Sequence, residues 1–286
     1  MSIKVSSLTH IYNQGTPFEQ AAVSDVSFEI GPHEFIGIIG HTGSGKSTMI
    51  QHINRLLVPT SGTVFVNGKD INTKSYPMTE ICKRVGIVFQ YPEYQLFEET
   101  VYADVAFGPK NLGYDDEKVD ALVRESIDLV GLNFEELKDM SPFELSGGQK
   151  RRVAIAGVLA MKPQILILDE PASGLDPMGK KEILESIQRM NKEFGICILL
   201  VSHNMDDVAE YSDRVMVFVK GELVMFDVPQ QVFADTEFLE NIGLSVPQSK
   251  RVLSMLAQRG FDVNTALYRN SDAIDEIIAK LRKEQR

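Results

Sequence analysis

Apolar positions along this chain fall into three patterns, each predicting a different kind of element. Ile3, Val5 and the alternating residues 23–30 put every second side chain on one side, as a strand with a single buried face requires. Residues 60–68 read as turn, strand and turn, returning to the same layer. The N-terminal part therefore predicts an antiparallel sheet with a loop around Gly15, Thr16 and Pro17. Residues 34–39, 84–89, 164–168 and 196–201 are instead nearly unbroken apolar runs, the pattern of strands covered on both faces in a mainly parallel sheet. Residues 214–219 and 222–226 predict a hairpin turning at Lys220 and Gly221, with the turn type open because Asn-Gly is absent. Helical spacing marks 48–57, 115–132, 150–161, 180–194, 249–259 and 271–283. In 115–132 the buried face is Val119, Leu122, Val123, Ile127 and Val130. The last helix has Ser271 as its N-cap and a stripe of Ile274, Ile277, Ile278 and Leu281 that needs a cover, either the parent domain or a second copy.

Composition narrows the class. The chain has 286 residues and a net charge of −11, so nothing favours nucleic acid or an anionic membrane surface as a partner. Two cysteines, Cys82 and Cys197, lie in apolar contexts typical of buried thiols, with neither a disulfide framework nor zinc spacing. The longest apolar run, 153–161, falls far short of the roughly 20 residues that span a bilayer, and no signal peptide is apparent, so a cytoplasmic protein is expected.

The chemistry is concentrated at strand ends. Gly40-His41-Thr42-Gly43-Ser44-Gly45-Lys46-Ser47-Thr48 links a buried strand to a helix, the context of a polyphosphate-binding loop. Its glycines keep side chains away so that backbone N–H groups face the anion, and the helix start adds the positive end of its dipole. Lys46 supplies a full charge for the outer phosphates, and the Ser47 hydroxyl suits magnesium. Asp169 and Glu170 end another strand on opposite faces, so one can hold the magnesium shell while the other takes a proton from water. Gln90 leaves a third strand. Alone it reads as a loop amide bonding local backbone; beside a phosphate loop it reaches magnesium or a water. His203 reads equally as a terminal-phosphate contact or a packing residue, and Tyr12 equally as a base-stacking ring or ordinary strand packing.

Leu145-Ser146-Gly147-Gly148-Gln149 opens the helix 150–161. Ser146 is a good N-cap, but two glycines at a helix start are poor helix formers and need another reason, which close approach of an anion supplies. Lys150, Arg151 and Arg152 read as a solvated face. Tyr94, Leu96 and Phe97, ahead of a helix with Val101 and Val105 on one face, read equally as surface left for a partner or as core. Asp176 lies in a turn.

Taken in order, these motifs resemble the ATPase subunits of ATP-binding-cassette (ABC) transporters. The resemblance implies an α/β P-loop NTPase core with a mainly parallel sheet, an antiparallel β subdomain and an α-helical signature subdomain at about 92–160. The nucleotide-binding domain would occupy 1–234, and a small helical extension, read as a dimer contact, 235–286. It implies ATP and Mg2+ as ligands, with Tyr12 stacking on adenine, Glu170 as general base and His203 sensing the γ-phosphate. Ser146, Gly147, Gly148 and Gln149 would cover the nucleotide held by another subunit, and Asp176 would be a further nucleotide-binding position. A narrower match, carried by residues 15–19, 40–43, 88–97 and 104–109, is similar to the energy-coupling-factor (ECF) importers, and the chain looks like the second of their two paired ATPases. That implies a peripheral protein on the cytoplasmic membrane face. Its partners would be a second ATPase, a transmembrane T component docked on the aromatic segment through Gln90, and S components for vitamins or transition-metal ions. Ala172, where the family more often has Thr, lies outside the catalytic positions. An ATPase of another importer class, a soluble cassette ATPase and a small-molecule kinase are the alternatives; the kinase leaves residues 145–149 unexplained.

Overall fold

Strands that must be apolar on both faces need a cover on each, and two separate covers are provided here. The computed structural model describes residues 3–284. Its strands in chain order are β1 Ile3–Tyr12, β2 Gln20–Ile30, β3 Phe35–Gly40, β4 Ser61–Val66, β5 Lys69–Asp70, β6 Val85–Val88, β7 Ile165–Asp169, β8 Cys197–Val201, β9 Arg214–Val219 and β10 Glu222–Asp227. Helices α1 Lys46–Ile53, α2 Met78–Arg84, α3 Val101–Asn111, α4 Asp116–Leu129, α5 Phe134–Leu137 and α6 Gly147–Leu159 occupy the first part. The rest carries α7 Pro177–Phe194, α8 Met205–Tyr211, α9 Pro229–Val232, α10 Thr236–Asn241, α11 Gln248–Gln258 and α12 Asn270–Glu284.

The antiparallel sheet has the order β2-β1-β4-β5, and the second sheet runs β10-β9-β3-β8-β7-β6, parallel except for β10. Alternation along the second sheet explains its unbroken runs. Ile165, Ile167, Cys197, Leu199 and Val201 share a core with the antiparallel sheet and with Met49, Ile50 and Ile53 of α1, which is thereby packed between the sheets. Leu166, Leu168, Ile198 and Leu200 face the other way, onto α3, α4, α6 and α7. Full burial of each such side chain contributes about 1.5–3 kcal/mol. The hairpin turn has positive φ at both Lys220 (49°) and Gly221 (87°), the signature of a type I′ turn that matches strand twist.

Two expectations are corrected, and one left open is decided. Arg151 is not on a solvated face: it is 3% exposed and ion-paired to Glu93 at 3.0 Å, while Arg152 pairs with Glu182. The reason is register, because the helix begins at Gly147 and packs against α3 and α4, turning Arg151 inward. Ser271 is not a cap, since α12 starts one residue earlier and its first described backbone bond runs from Ala273 N to the Arg269 carbonyl. Val101 and Val105 are core, and the exposed apolar surface falls instead on Tyr94, Phe97 and Phe107.

Residues 236–246 fold back onto the second sheet: Leu239, Leu244 and Val246 share a core with Ile39, Val208, Val217 and Phe233. Beyond them α11 and α12 pair. The α12 stripe stays open, with Ile274 at 55% exposure.

Candidate active site

The phosphate loop leaves β3 at Gly40, whose φ is +152° and where a Cβ would sit 2.4 Å from the Phe218 carbonyl. Gly45, at φ +97°, would drive one to 2.3 Å from the Ala22 carbonyl. Any side chain at either position would collide with backbone. Gly45 is also the N-cap of α1 and brings no side-chain cap, leaving the first amides of the helix for an anion. The Lys46 ammonium is buried over the loop, donating to the Gly40 carbonyl at 2.7 Å and the His41 carbonyl at 2.8 Å. Burial lowers its pKa, opposed by the charges of Asp169 and Glu170.

Adjacent residues at the end of β7 do separate work. Asp169 accepts from the Ser47 hydroxyl at 3.0 Å; desolvation raises its pKa, with the Ser47 hydrogen bond and the Lys46 charge acting against that rise. Glu170 has φ +53°, a left-handed conformation that costs a non-glycine residue about 1–3 kcal/mol. The turn places one carboxylate oxygen 2.6 Å from His203 Nε2 and the other where Gln90 Nε2 donates to it at 3.3 Å. Three strand ends are thus joined through one carboxylate. At the opposite end the Tyr12 hydroxyl lies 3.3 Å from Thr48 Oγ1.

Together these groups line one cleft of about 440 Å³, running from Tyr12 past Thr42, Gly43 and residues 45–48 to Gln90, Asp169, Glu170 and His203. Gln20 and Ala22 also line it and were not anticipated; β-strand alternation alone does not mark them. Gly40 and Ser44 lie beneath the loop, and the His41 side chain turns away toward the Ile242 carbonyl. Ser47, Asp169 and the amide oxygen of Gln90 are hard oxygen donors, a set that suits a Mg2+ also held by phosphate oxygens. Among the described residues no cluster of three His, Cys, Asp or Glu could hold a metal unaided, and such an ion needs none.

Residues 146–149 stand outside this cleft. Ser146 caps α6 and forms a capping box, with Gln149 N donating to its hydroxyl at 3.3 Å and its own N donating to Gln149 Oε1 at 3.0 Å. A Cβ at Gly147 or Gly148 would meet nothing within 4 Å. Packing inside this chain therefore does not require either glycine, and glycine is a poor helix former. Asp176, also outside the cleft, caps α7 by accepting from Met178 and Gly179 N–H groups at 3.0 Å, which lowers its pKa. Arg151 ties the pieces together from behind, holding Glu93 of the segment after Gln90 and the carbonyls of Pro171 and Ser173 after Glu170.

Behind Tyr12 the His10 ring lies 4.5 Å away edge-on, and 4.7 Å from the fully buried His52. Burial, then the neighbouring His10, pushes the His52 pKa down to about 4. His52 is thus neutral in the fold and protonates near 6.5 when unfolded. Its contribution is complete above pH 6.5 and is lost as pH falls toward 4, by up to about 3 kcal/mol. Urea titrations at pH 7.5 and 5 should show this slope in the native chain and lack it in His52→Leu; equal slopes would exclude His52 as its source.

Comparison with known proteins agrees with this geometry. Residues 23–173 match the family described as ABC transporter. A Clostridium tetani protein named energy-coupling factor transporter ATP-binding protein EcfA2 is 52% identical over 278 residues, 97% of this chain and 96% of its own. The Enterococcus faecalis protein of that name is 46% identical over 285 residues, 99% and 98% of the two chains. Among solved structures, cbiO1 from Clostridium perfringens, described as part of the ABC transporter complex cbiONQ, superposes with a TM-score of 0.74 at 38% identity, covering 89% of this chain and 98% of that one. An ATP-binding cassette solved as a post-hydrolysis dimer with ADP and phosphate gives 0.70 at 28% identity, covering 79% and 98%. The chain belongs to the ATPases of the ABC transporters and, within them, to the ATP-binding proteins of energy-coupling-factor importers.

Proposed function

We propose that this ATPase works as one of two unlike ATPase subunits on the cytoplasmic face of a membrane, each lending residues to the other's nucleotide. The observation that carries this reading is the start of α6: an exposed helix N-terminus with two glycines that nothing in this chain's packing calls for, standing outside the chain's own phosphate cleft. A partner's γ-phosphate is what such a surface fits. Within the cleft, Tyr12 stacks on adenine, the loop amides and Lys46 hold the β- and γ-phosphates, and Ser47, Asp169 and Gln90 hold Mg2+. A Mg2+ held by these three residues would supply positive charge to offset the negative charge developing on the β- and γ-phosphates. Glu170 takes a proton from the attacking water while His203 holds the γ-phosphate; the bond from the γ-phosphorus to the β–γ bridging oxygen breaks, leaving ADP and phosphate. Positioning and charge stabilisation do the rest.

The coupling surface is a groove of about 430 Å³ beside the segment after Gln90, lined by Met78, Leu96, Phe97, Phe107, Val153 and Met161 among others. Phe97 is 58% exposed there. The groove fits a helix of the transmembrane T component, with S components supplying vitamins or transition-metal ions. Extraction from native membranes with mild detergent should bring a second ATPase and a membrane protein with this chain. Phe97→Asp should lose the membrane protein and keep the second ATPase. Recovery of this chain alone from intact membranes, or undiminished membrane-protein recovery with Phe97→Asp, would overturn the assembly or the groove respectively.

A further inference from the structure

His41 sits inside the phosphate loop, yet its ring points away from the cleft and donates through Nε2 to the Ile242 carbonyl at 2.8 Å. The acceptor is not incidental. Helix α10 ends in a Schellman motif: Leu244 N donates to the Leu239 carbonyl at 2.8 Å and Gly243 N to the Glu240 carbonyl at 2.9 Å. Ile242 is the C-cap residue of that helix, where carbonyls lack intrahelical partners, and a histidine N–H both satisfies this one and suits the negative helix end. Gly243, at φ +75°, passes so close that a Cβ there would fall 2.6 Å from His41 Nε2. On its other side the same loop residue is tied to the phosphate machinery, since the His41 carbonyl accepts from Lys46 Nζ at 2.8 Å and Ser44 N at 3.1 Å. Helix α10 is itself anchored, with Leu239 packed in one core with Ile39, the residue before Gly40.

We infer that Ile242 and Gly243 of the C-terminal extension are positioning residues for the phosphate loop, acting through His41 on the segment that orients Lys46. The extension thereby sets phosphate affinity without touching nucleotide. This rests on the reading of residues 40–48 as the polyphosphate site.

The test is isothermal titration of the full-length chain with inorganic tripolyphosphate and with ATP. Gly243→Ala and His41→Ala should each weaken both ligands by about fivefold or more, the size of one lost hydrogen bond in a positioned loop. His41→Gln, which keeps an N–H donor, should recover most of the loss. Because residue 243 acts through residue 41, the double variant should be no weaker than His41→Ala alone. Unchanged tripolyphosphate affinity in both single variants, or additive losses in the double variant, would overturn the inference. Lys46→Ala separates this from failure of the underlying reading. If Lys46→Ala removes tripolyphosphate binding while Gly243→Ala and His41→Ala do not weaken it, the inference fails alone; if Lys46→Ala has no effect, the loop is not the phosphate site. Thermal unfolding of each variant confirms that a folded chain is being titrated.

Discussion

Replacing Glu170 by Gln should leave ATP affinity unchanged and lower turnover by about 10²- to 10⁴-fold, the span that a positioned general base supplies. The amide is nearly isosteric and can still accept from Gln90, so the contact that holds the end of β7 to Gln90 survives. An NH2 group then replaces the oxygen facing His203, and the capacity to take the proton of the attacking water is removed. Equilibrium binding of ATP and phosphate release under saturating nucleotide separate the two quantities. Turnover that is unaltered would remove Glu170 as the base and move the search to His203, its 2.6 Å neighbour.

Ser146→Glu should be as damaging for a different reason. The residue is exposed at the start of α6 and lines no part of its own chain's cleft, so the isolated variant should bind ATP as the native chain does. In the assembled pair a carboxylate would face the partner's γ-phosphate, and like charges so juxtaposed cost several kcal/mol, enough for about a hundredfold loss of turnover. Loss of the serine cap adds about 1 kcal/mol of helix destabilisation, which a melting curve registers separately. A variant that loses ATP affinity as an isolated chain would place the signature residues in cis, against the account.

What could be read in the residues was local. The phosphate loop, the acids ending β7, Gln90 and His203 all lie at strand ends, and a short motif carries its own strand-and-helix context, so the cleft was legible before any coordinates. The ABC transporter and energy-coupling-factor resemblance is borne out by relatives matching almost the whole chain. Alternation likewise distinguished the antiparallel layer from the doubly covered sheet. The Arg151 miss comes from a partner distant in sequence. Arg151 meets Glu93, 58 residues away, and nothing in a basic triplet tells which member turns inward. The His41 side chain likewise meets Ile242 across 201 residues, a contact that no loop motif foretells. Ser271 was misread because α12 begins one residue earlier than its best capping side chain. Gly147 and Gly148 are the converse case: the sequence marked them as needing a reason, and packing within the chain does not supply one.

The central claim is that hydrolysis needs the start of α6 from a second molecule. ATP turnover by a fraction held monomeric, with light scattering recorded on the same sample, tests it most directly. The account predicts no turnover above background from the monomer and full turnover once the sister ATPase is added. A monomer that hydrolyses ATP at the assembled rate, with or without Ser146→Glu, would contradict it.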